Sequence, residues 1–288
     1  VVGSSPEALL GYLLASTSRI RLGSGGIMLQ HYQPYKVAEN FNVLAALVPG
    51  RVDLGIGRAP GGLPLSTRAL QRGLAEAPSL KEKIVELEQF IADSLDGGHP
   101  LAGLKAVPVA AEPAVIHILG TSADSATMAA ELGHPYVFAY FIHSDAEAAR
   151  EAIRTYRDQY RSVKGRQPYV ILALYVAAAD TDEEARALVS GVVNVKLRLD
   201  NGQSVTLSDR ERAIEFGRQS GQGYALEEQR PDIVAGSKEN VKRQLLQRRD
   251  DWGADELMLI APVADFQRKL RAYELIREAF LSEDSKEP

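Results

Sequence analysis

Short apolar runs alternate with longer amphipathic segments along the whole chain. Six runs are predicted strands, because they are apolar on both faces and bounded by turn residues; they are Arg19–Leu29, Arg51–Gly57, Ala114–Leu119, Tyr136–Phe141, Tyr169–Ala177 and Glu256–Ala261. The predicted helices are Ser4–Ser16, Pro34–Leu47, Ser79–Asp96, Ser122–Leu132, Asp145–Val163, Asp182–Val195, Ser237–Asp250 and Asp265–Phe280. Strands that alternate with helices predict an α/β fold with a parallel sheet.

Two parallel architectures fit this alternation. An open doubly wound sheet can stop at six strands, whereas a TIM (β/α)8 barrel needs two more. The sequence begins at Val1 with a helix before any strand. We therefore favour a single barrel domain over residues 1–288, and expect its first two strands upstream of Val1.

One segment breaks the alternation. Residues Lys196–Gly236 are polar and rich in glycine, with only weak helical character. A long irregular segment in a compact domain is usually functional or disordered. We interpret it either as a decorative insertion or as a lid over the carboxyl-terminal mouth of the barrel.

The composition of the chain excludes several kinds of functional site. The chain has no cysteine, which excludes disulfides, thiolate metal sites, iron–sulfur clusters and a cysteine nucleophile. A net charge of −5 gives no electrostatic reason to bind nucleic acid or an anionic membrane. The longest apolar run, Tyr169–Ala179, is well short of the ~20 residues of a membrane helix. Any targeting segment would lie upstream of Val1, and without one in the given sequence we expect a cytoplasmic protein. We expect no metal site.

Ligands of parallel α/β proteins bind where strands end, so the residues after each strand are the candidates. The first strand contains Gly25 and Gly26. Adjacent glycines weaken a buried strand. Either they form a β-bulge, or the backbone there must approach something flat or adopt a geometry that a Cβ would forbid.

Two further strand ends carry groups that suit anions. Gly57 and Arg58 end the second strand before Ala59–Gly62, and the planar guanidinium suits phosphate or carboxylate, although it could equally pair with an acid of a neighbouring helix. Gly120, Thr121, Ser122 and Ser125 follow the third strand at a helix start. That start is either an anion site or a helix capped by Ser122.

The histidines divide by position. His31 and Tyr32 follow the glycine-containing strand, where a substrate-facing residue would lie, and His143 also follows a strand. We expect structural roles for His99, His117 and His134. Ser237 resembles Ser122, but it follows the irregular segment rather than a strand, so we interpret it as a helix cap only.

Several segments, in order, resemble the bacterial luciferase-like flavin monooxygenase family. They are Arg19–Leu29, Pro34–Asn40, Pro49–Arg58, Gly120–Ala126, Ala129–Pro135, Val234–Ser237 and Gly253–Leu259. The resemblance covers essentially the whole chain and is most specific from Ile20 to Gly62. It implies a TIM barrel with an insertion after strand seven, matching residues 196–236. It also implies reduced FMN, or in some branches a deazaflavin, bound at the barrel mouth.

The resemblance assigns roles by position. Gly25 and Gly26 match a pair that forms a non-prolyl cis peptide against the flavin ring. Arg58 matches an arginine that binds the flavin phosphate, with Thr121, Ser122 and Ser125 as hydroxyl partners, and Gly57 and Gly120 lie beside them in the cofactor site. His31 and Tyr32 are substrate-pocket candidates.

The resemblance also has limits. Luciferase has a reactive cysteine where this chain has Gly57, so light emission is not implied. The family's catalytic histidine ends its second strand, which would lie upstream of Val1, so no catalytic residue is assigned here.

The expected protein is an FMN-dependent monooxygenase that acts on a small molecule with O₂. It takes reduced flavin from a reductase or NAD(P)H and forms a homodimer. The alternatives are a phosphate-binding lyase or isomerase, for which no base is evident, and a flavin-binding protein without turnover.

Overall fold

The computed structural model describes residues 5–58, 62–71, 78–163 and 165–284. Ser4 and Ala59–Gly61, which the sequence interpretation mentions, lie outside them. The chain divides into two compact units, Val1–Leu119 and Gly120–Pro288.

The first unit consists of parallel strands joined by helices. In chain order its elements are α1 (Pro6–Ala15), β1 (Leu22–Met28), a 3-10 turn (Leu29–His31), α2 (Pro34–Leu47), β2 (Val52–Gly57), α3 (Pro64–Leu70), α4 (Leu80–Ile91) and β3 (Val115–Gly120). β2 pairs in parallel with β1 on one side and with β3 on the other. Gly25 lies opposite Gly55, and the register shifts between Gly25 and Ile27. This register shift fits the β-bulge interpretation of the glycine doublet.

Helix α4 shows why these segments fold as they do. Ser79 and Glu82 form a capping box that satisfies two free backbone N–H groups at the helix start. Apolar residues at helical spacing bury one face, including Ile84, Leu87 and Phe90. The same face also carries Lys83, which is buried.

The second unit contains the remaining parallel strands. In chain order its elements are α5 (Ala123–Leu132), β4 (Tyr136–Ala139), α6 (Tyr140–His143), α7 (Ala146–Gln159), β5 (Val170–Ala178), α8 (Asp182–Val189), β6 (Asn194–Leu199), β7 (Ser204–Leu207), α9 (Arg210–Ser220), β8 (Tyr224–Gln229), β9 (Ile233–Gly236), α10 (Lys238–Trp252), β10 (Glu256–Ile260) and α11 (Phe266–Asp284). β5 is central and pairs in parallel with β4, β9 and β10.

The expectation of an irregular segment at 196–236 is wrong. β6 pairs antiparallel with β7 and β8 in a separate three-stranded sheet, and β9 is a further parallel strand. The preceding helix ends at Val189 rather than Val195. Alternate residues of β6 are buried, namely Val195, Leu197 and Leu199. Val195, Leu197 and Leu199 alternate with Lys196 and Arg198, but this period of two is too short to stand out from the polar residues around it. A role of this segment as a lid stays a prediction.

The α/β class with mostly parallel strands is confirmed, and all six predicted strands are present, with bounds shifted by a few residues. Two short helices, α3 and α6, were not predicted. No helix in the described ranges has the length and apolar character needed to cross a membrane.

Candidate functional site

The carboxyl-terminal half of β1 and β2 is built from glycines. Paired residues of neighbouring strands share a face, as do alternate residues of one strand, so Gly25, Gly55 and Gly57 face the same way. The peptide bond between Gly25 and Gly26 is cis, as the family resemblance implies.

These glycines serve two different purposes. A Cβ on Gly26 would lie 2.6 Å from the carbonyl oxygen of Gly55, and a Cβ on Gly55 would overlap the carbonyl oxygen of Ser24. Those two glycines let the strands approach each other. A Cβ on Gly25 would meet nothing within 4 Å, and one on Gly57 only the Leu119 Cβ at 4.0 Å. We call the surface over Gly25 and Gly57 the glycine floor. Apart from Leu119, no atom of the described residues lies within 4 Å of these two added Cβ positions.

Arg58 directly follows β2 and is exposed. Its carbonyl oxygen accepts a hydrogen bond of 2.6 Å from the side-chain amide of Gln30. Within the parts of the chain that the structure describes, no residue forms a hydrogen bond or ion pair with its guanidinium. The backbone of Arg58 is thus fixed to the turn after β1, while its guanidinium is available for an anion.

The turn Leu29–Tyr32 after β1, the 29–32 turn, is organised by a residue that the sequence interpretation missed. The Lys83 ammonium donates to the carbonyl oxygens of Leu29, Gln30 and Tyr32 at 3.2, 3.3 and 3.2 Å. Only 3% of Lys83 is exposed. Burial lowers the pKa of Lys83 below its ordinary value. The signal was present, because Lys83 lies at helical spacing from Leu87 and Phe90 on the apolar face of α4.

His31 lies at the end of this turn and is 93% buried, since 7% of it is exposed. Neither of its ring nitrogens has a hydrogen-bond partner among the described residues. Burial and, to a smaller extent, the Lys83 ammonium lower the pKa of His31 below its ordinary value. The ring is therefore neutral at neutral pH, with one donor and one acceptor unused. Tyr32, the other predicted pocket residue, is half-buried.

In the second unit, the residues Gly120–Ser125, the 120–125 turn, form a closed arrangement. Ser122 and Ser125 make a capping box at the start of α5. The Ser125 hydroxyl donates to the Ser122 carbonyl oxygen at 2.7 Å and lies 2.9 Å from the Tyr136 hydroxyl. A Cβ on Gly120 would overlap the Ser125 side chain, so glycine is required there. Burial raises the pKa of Tyr136 to about 12. Thr121 and the Ser122 hydroxyl lie at the outer side of this cluster, half-buried and exposed respectively.

Two of the other histidines contact side chains of the protein itself. His117 lies 3.2 Å from Asp53, which also binds Arg21, toward the amino-terminal end of β2. His143 contacts the Thr206 hydroxyl at 3.2 Å. Within the described ranges, no group of three or more potential ligands is arranged to hold a metal ion.

Ser237 occupies the N-cap position of α10, as expected, but it does not cap the helix with its side chain. Ser237 follows a strand, β9, and its side chain makes no capping hydrogen bond. Instead the Asp182 carboxylate accepts from the Ser237 backbone N–H at 2.6 Å and from Asn240 at 3.1 Å. A carboxylate from α8 thus occupies the start of α10.

Comparison with known proteins identifies the fold and the family together. The sequence profile of luciferase-like monooxygenases matches residues 2–274. The chain belongs to the luciferase-like monooxygenase family. An N-acetyl-S-alkylcysteine monooxygenase from Bacillus subtilis (strain 168) is 39% identical over 283 residues, covering 98% of this chain and 84% of that protein. The members of this family are flavin-dependent oxidoreductases, and so is this chain.

Solved structures of the luciferase-like family share the fold. The crystal structure of apo-MsnO8 matches with a TM-score of 0.74 and 31% identity, covering 96% of this chain and 81% of that one. The oxygenating constituent of 3,6-diketocamphane monooxygenase from Pseudomonas putida, solved in complex with FMN, matches with a TM-score of 0.61 and 17% identity, covering 94% and 82% of the two chains. At that identity the second match shows the fold alone. The expected TIM-barrel class is that of these structures.

Proposed function

We propose that this chain is an FMN-dependent monooxygenase that uses reduced flavin and O₂ to oxidise a small organic molecule. The observation that carries the proposal is the glycine floor. A planar ring needs a surface without side chains, and Gly25 and Gly57 leave such a surface where β1 and β2 end. The family resemblance assigns the flavin ring to Gly25 and Gly26, and the first of these belongs to this floor.

The phosphate of FMN explains the exposed guanidinium of Arg58. A guanidinium binds phosphate through two parallel charge-assisted hydrogen bonds. The backbone of Arg58 is held by Gln30 at 2.6 Å, so the side chain starts from a fixed point. Thr121 and Ser122 are proposed phosphate contacts on the family resemblance alone. We assign Ser125 to capping, because its hydroxyl already bonds Ser122 and Tyr136.

When bound, reduced flavin supplies the electrons that activate O₂. The protein's own residues bind and orient the ligands. His31 contributes a neutral ring whose nitrogens have no partner among the described residues, which suits one hydrogen bond to a polar group of the substrate. Tyr32, at the end of the same turn, is the second proposed substrate contact.

We propose thioethers as the first substrate class to test, because the Bacillus subtilis relative at 39% identity is named for N-acetyl-S-alkylcysteines. The reduced flavin is proposed to come from a separate reductase or from NAD(P)H. We also propose a homodimer, which light scattering at micromolar concentration tests; a monomer there would contradict it.

Titration with FMN, reduced FMN, riboflavin and a deazaflavin tests the cofactor. We expect binding of FMN and reduced FMN, weaker binding of riboflavin, and O₂ uptake when reduced FMN is supplied with substrate. Preference for the deazaflavin would replace FMN in the proposal. Binding of FMN without O₂ uptake over the whole substrate panel would favour a flavin-binding protein without turnover, and binding of no flavin would overturn the proposal.

A further inference from the structure

We infer that Lys83 is a positioning residue for the cofactor site: its buried ammonium fixes the 29–32 turn, and through Gln30 it fixes the backbone of Arg58. The inference rests on the proposed function, because it assigns Lys83 a purpose at the same site. Among the described residues, the hydrogen bonds of Lys83 go to the 29–32 turn and not to the glycine floor or Arg58. It acts through the turn.

The hydrogen-bond geometry of Lys83 requires the charged form. Its three acceptors are the carbonyl oxygens of residues 29, 30 and 32, at 3.2–3.3 Å. Carbonyl oxygens cannot donate, so Nζ must donate to all three, and only an ammonium has three N–H groups. A buried polar group without a partner is unfavourable, so the loss of Lys83 would remove one donor from each carbonyl. The Leu29 carbonyl would keep a second donor, the Tyr32 backbone N–H at 3.2 Å.

The turn passes this constraint to the anion-binding candidate. Gln30 lies in the middle of the three carbonyls, and its side-chain amide donates to the Arg58 carbonyl oxygen at 2.6 Å. A displaced turn therefore releases the backbone of Arg58. The same turn carries His31, whose ring nitrogens have no partner among the described residues. One buried cation thus fixes both the proposed phosphate ligand and the proposed substrate contact.

The absence of cysteine from the sequence allows a chemical test of the ammonium itself. In Lys83→Cys the only thiol is at position 83. Alkylation with 2-bromoethylamine in denaturant, followed by refolding, rebuilds an ammonium of nearly the length of lysine. The parent protein is taken through the same procedure, and Lys81→Cys, an exposed position on the same helix, is the matched control.

The first readout is affinity for FMN and for riboflavin, measured by quenching of flavin fluorescence. We expect Lys83→Cys to weaken FMN binding about tenfold and to reduce the preference for FMN over riboflavin. Aminoethylation should restore both to within about twofold of the parent, and Lys81→Cys should change neither. Unchanged FMN affinity in folded Lys83→Cys, or no recovery after aminoethylation, overturns the inference.

A second variant keeps Lys83 and its three hydrogen bonds. Gln30→Ala removes only the side-chain bond to Arg58, so it tests the link without the stability loss expected from Lys83→Cys. We expect a reduced preference for FMN over riboflavin, by about fivefold. An unchanged preference overturns the route through Gln30.

The third readout needs no flavin. The pKa of His31, followed by NMR of its ring nitrogens, should rise in Lys83→Cys and fall again after aminoethylation, because a neighbouring cation opposes protonation. An unchanged pKa would contradict the placement of the ammonium beside this turn.

The failure of the inference is distinguishable from the failure of the proposed function. If the parent protein binds no flavin, the proposed function fails. If the parent and Lys83→Cys bind FMN equally well, only the role of Lys83 is overturned.

Discussion

Two turns follow parallel strands in this chain, one in each unit, and they satisfy their polar groups in opposite ways. The 120–125 turn is self-contained, since Ser122, Ser125 and Tyr136 bond one another. The 29–32 turn is held from outside by Lys83 and leaves the ring nitrogens of His31 without partners among the described residues.

The difference distinguishes a turn that stabilises the fold from a turn that can bind a ligand. Polar groups that already bond one another contribute to stability and have little left for a ligand. Polar groups held in place but without partners, beside a surface free of side chains, are what a ligand site requires. The account therefore predicts that changes near the 29–32 turn alter flavin binding, whereas changes at Ser125 or Tyr136 alter stability.

The largest expected effect is at the glycine floor. Gly57→Leu adds a side chain whose Cβ makes only an ordinary contact with Leu119, so the fold should tolerate it. The side chain would occupy the surface proposed for the flavin ring, and we expect FMN affinity to fall by at least about 100-fold. Gly97→Leu is the matched control, because a Cβ on Gly97 meets nothing within 4 Å and Gly97 lies outside β1 and β2. Unchanged affinity in folded Gly57→Leu would remove the floor from the account.

The next effect is at the phosphate. Arg58→Ala should weaken FMN binding about tenfold and leave riboflavin binding nearly unchanged, because riboflavin has no phosphate. The exposed Arg68 in α3 provides the control, Arg68→Ala. Equal losses for both flavins would show that Arg58 does not act on the phosphate.

Ser125→Ala tests the other side of the comparison. It removes one hydroxyl of the capping box, and we expect a loss of about 1 kcal/mol in the free energy of unfolding, measured by urea denaturation. FMN affinity should change less than about threefold. A tenfold loss of FMN affinity with unchanged stability would make Ser125 a ligand contact and break the comparison.

The smallest effect concerns pH. Burial raises the pKa of Tyr136 to about 12, whereas the unfolded chain has a value near ~10. Because the folded pKa is the higher one, this contribution to stability is complete below about pH 10 and is lost as the pH rises toward 12. Tyr136→Phe should therefore show a flatter decline in unfolding free energy over this interval. Parallel curves for the parent and Tyr136→Phe would contradict this assignment.

The sequence predicted more of the scaffold than of the site. The parallel strands were visible because their apolar runs are continuous, and the doublet Gly25–Gly26 marked the bulge. The antiparallel strand β6 was missed because its alternation is short and because the preceding helix was predicted to run to Val195, past the start of β6 at Asn194. The site was harder to predict because the role of Lys83 depends on carbonyl groups about fifty positions earlier in the chain, which no local pattern reveals. Ser125 illustrates the converse: its spacing from Ser122 suits an anion site and a capping box equally, and only the position of Tyr136 distinguishes them.

The most direct test of the central claim is amide hydrogen exchange of the parent protein with and without saturating FMN. The account predicts slower exchange in residues 24–32 and 54–58, because the ring lies on the glycine floor and orders the turn beside it. Saturated binding of FMN with unchanged exchange in both segments would contradict the claim.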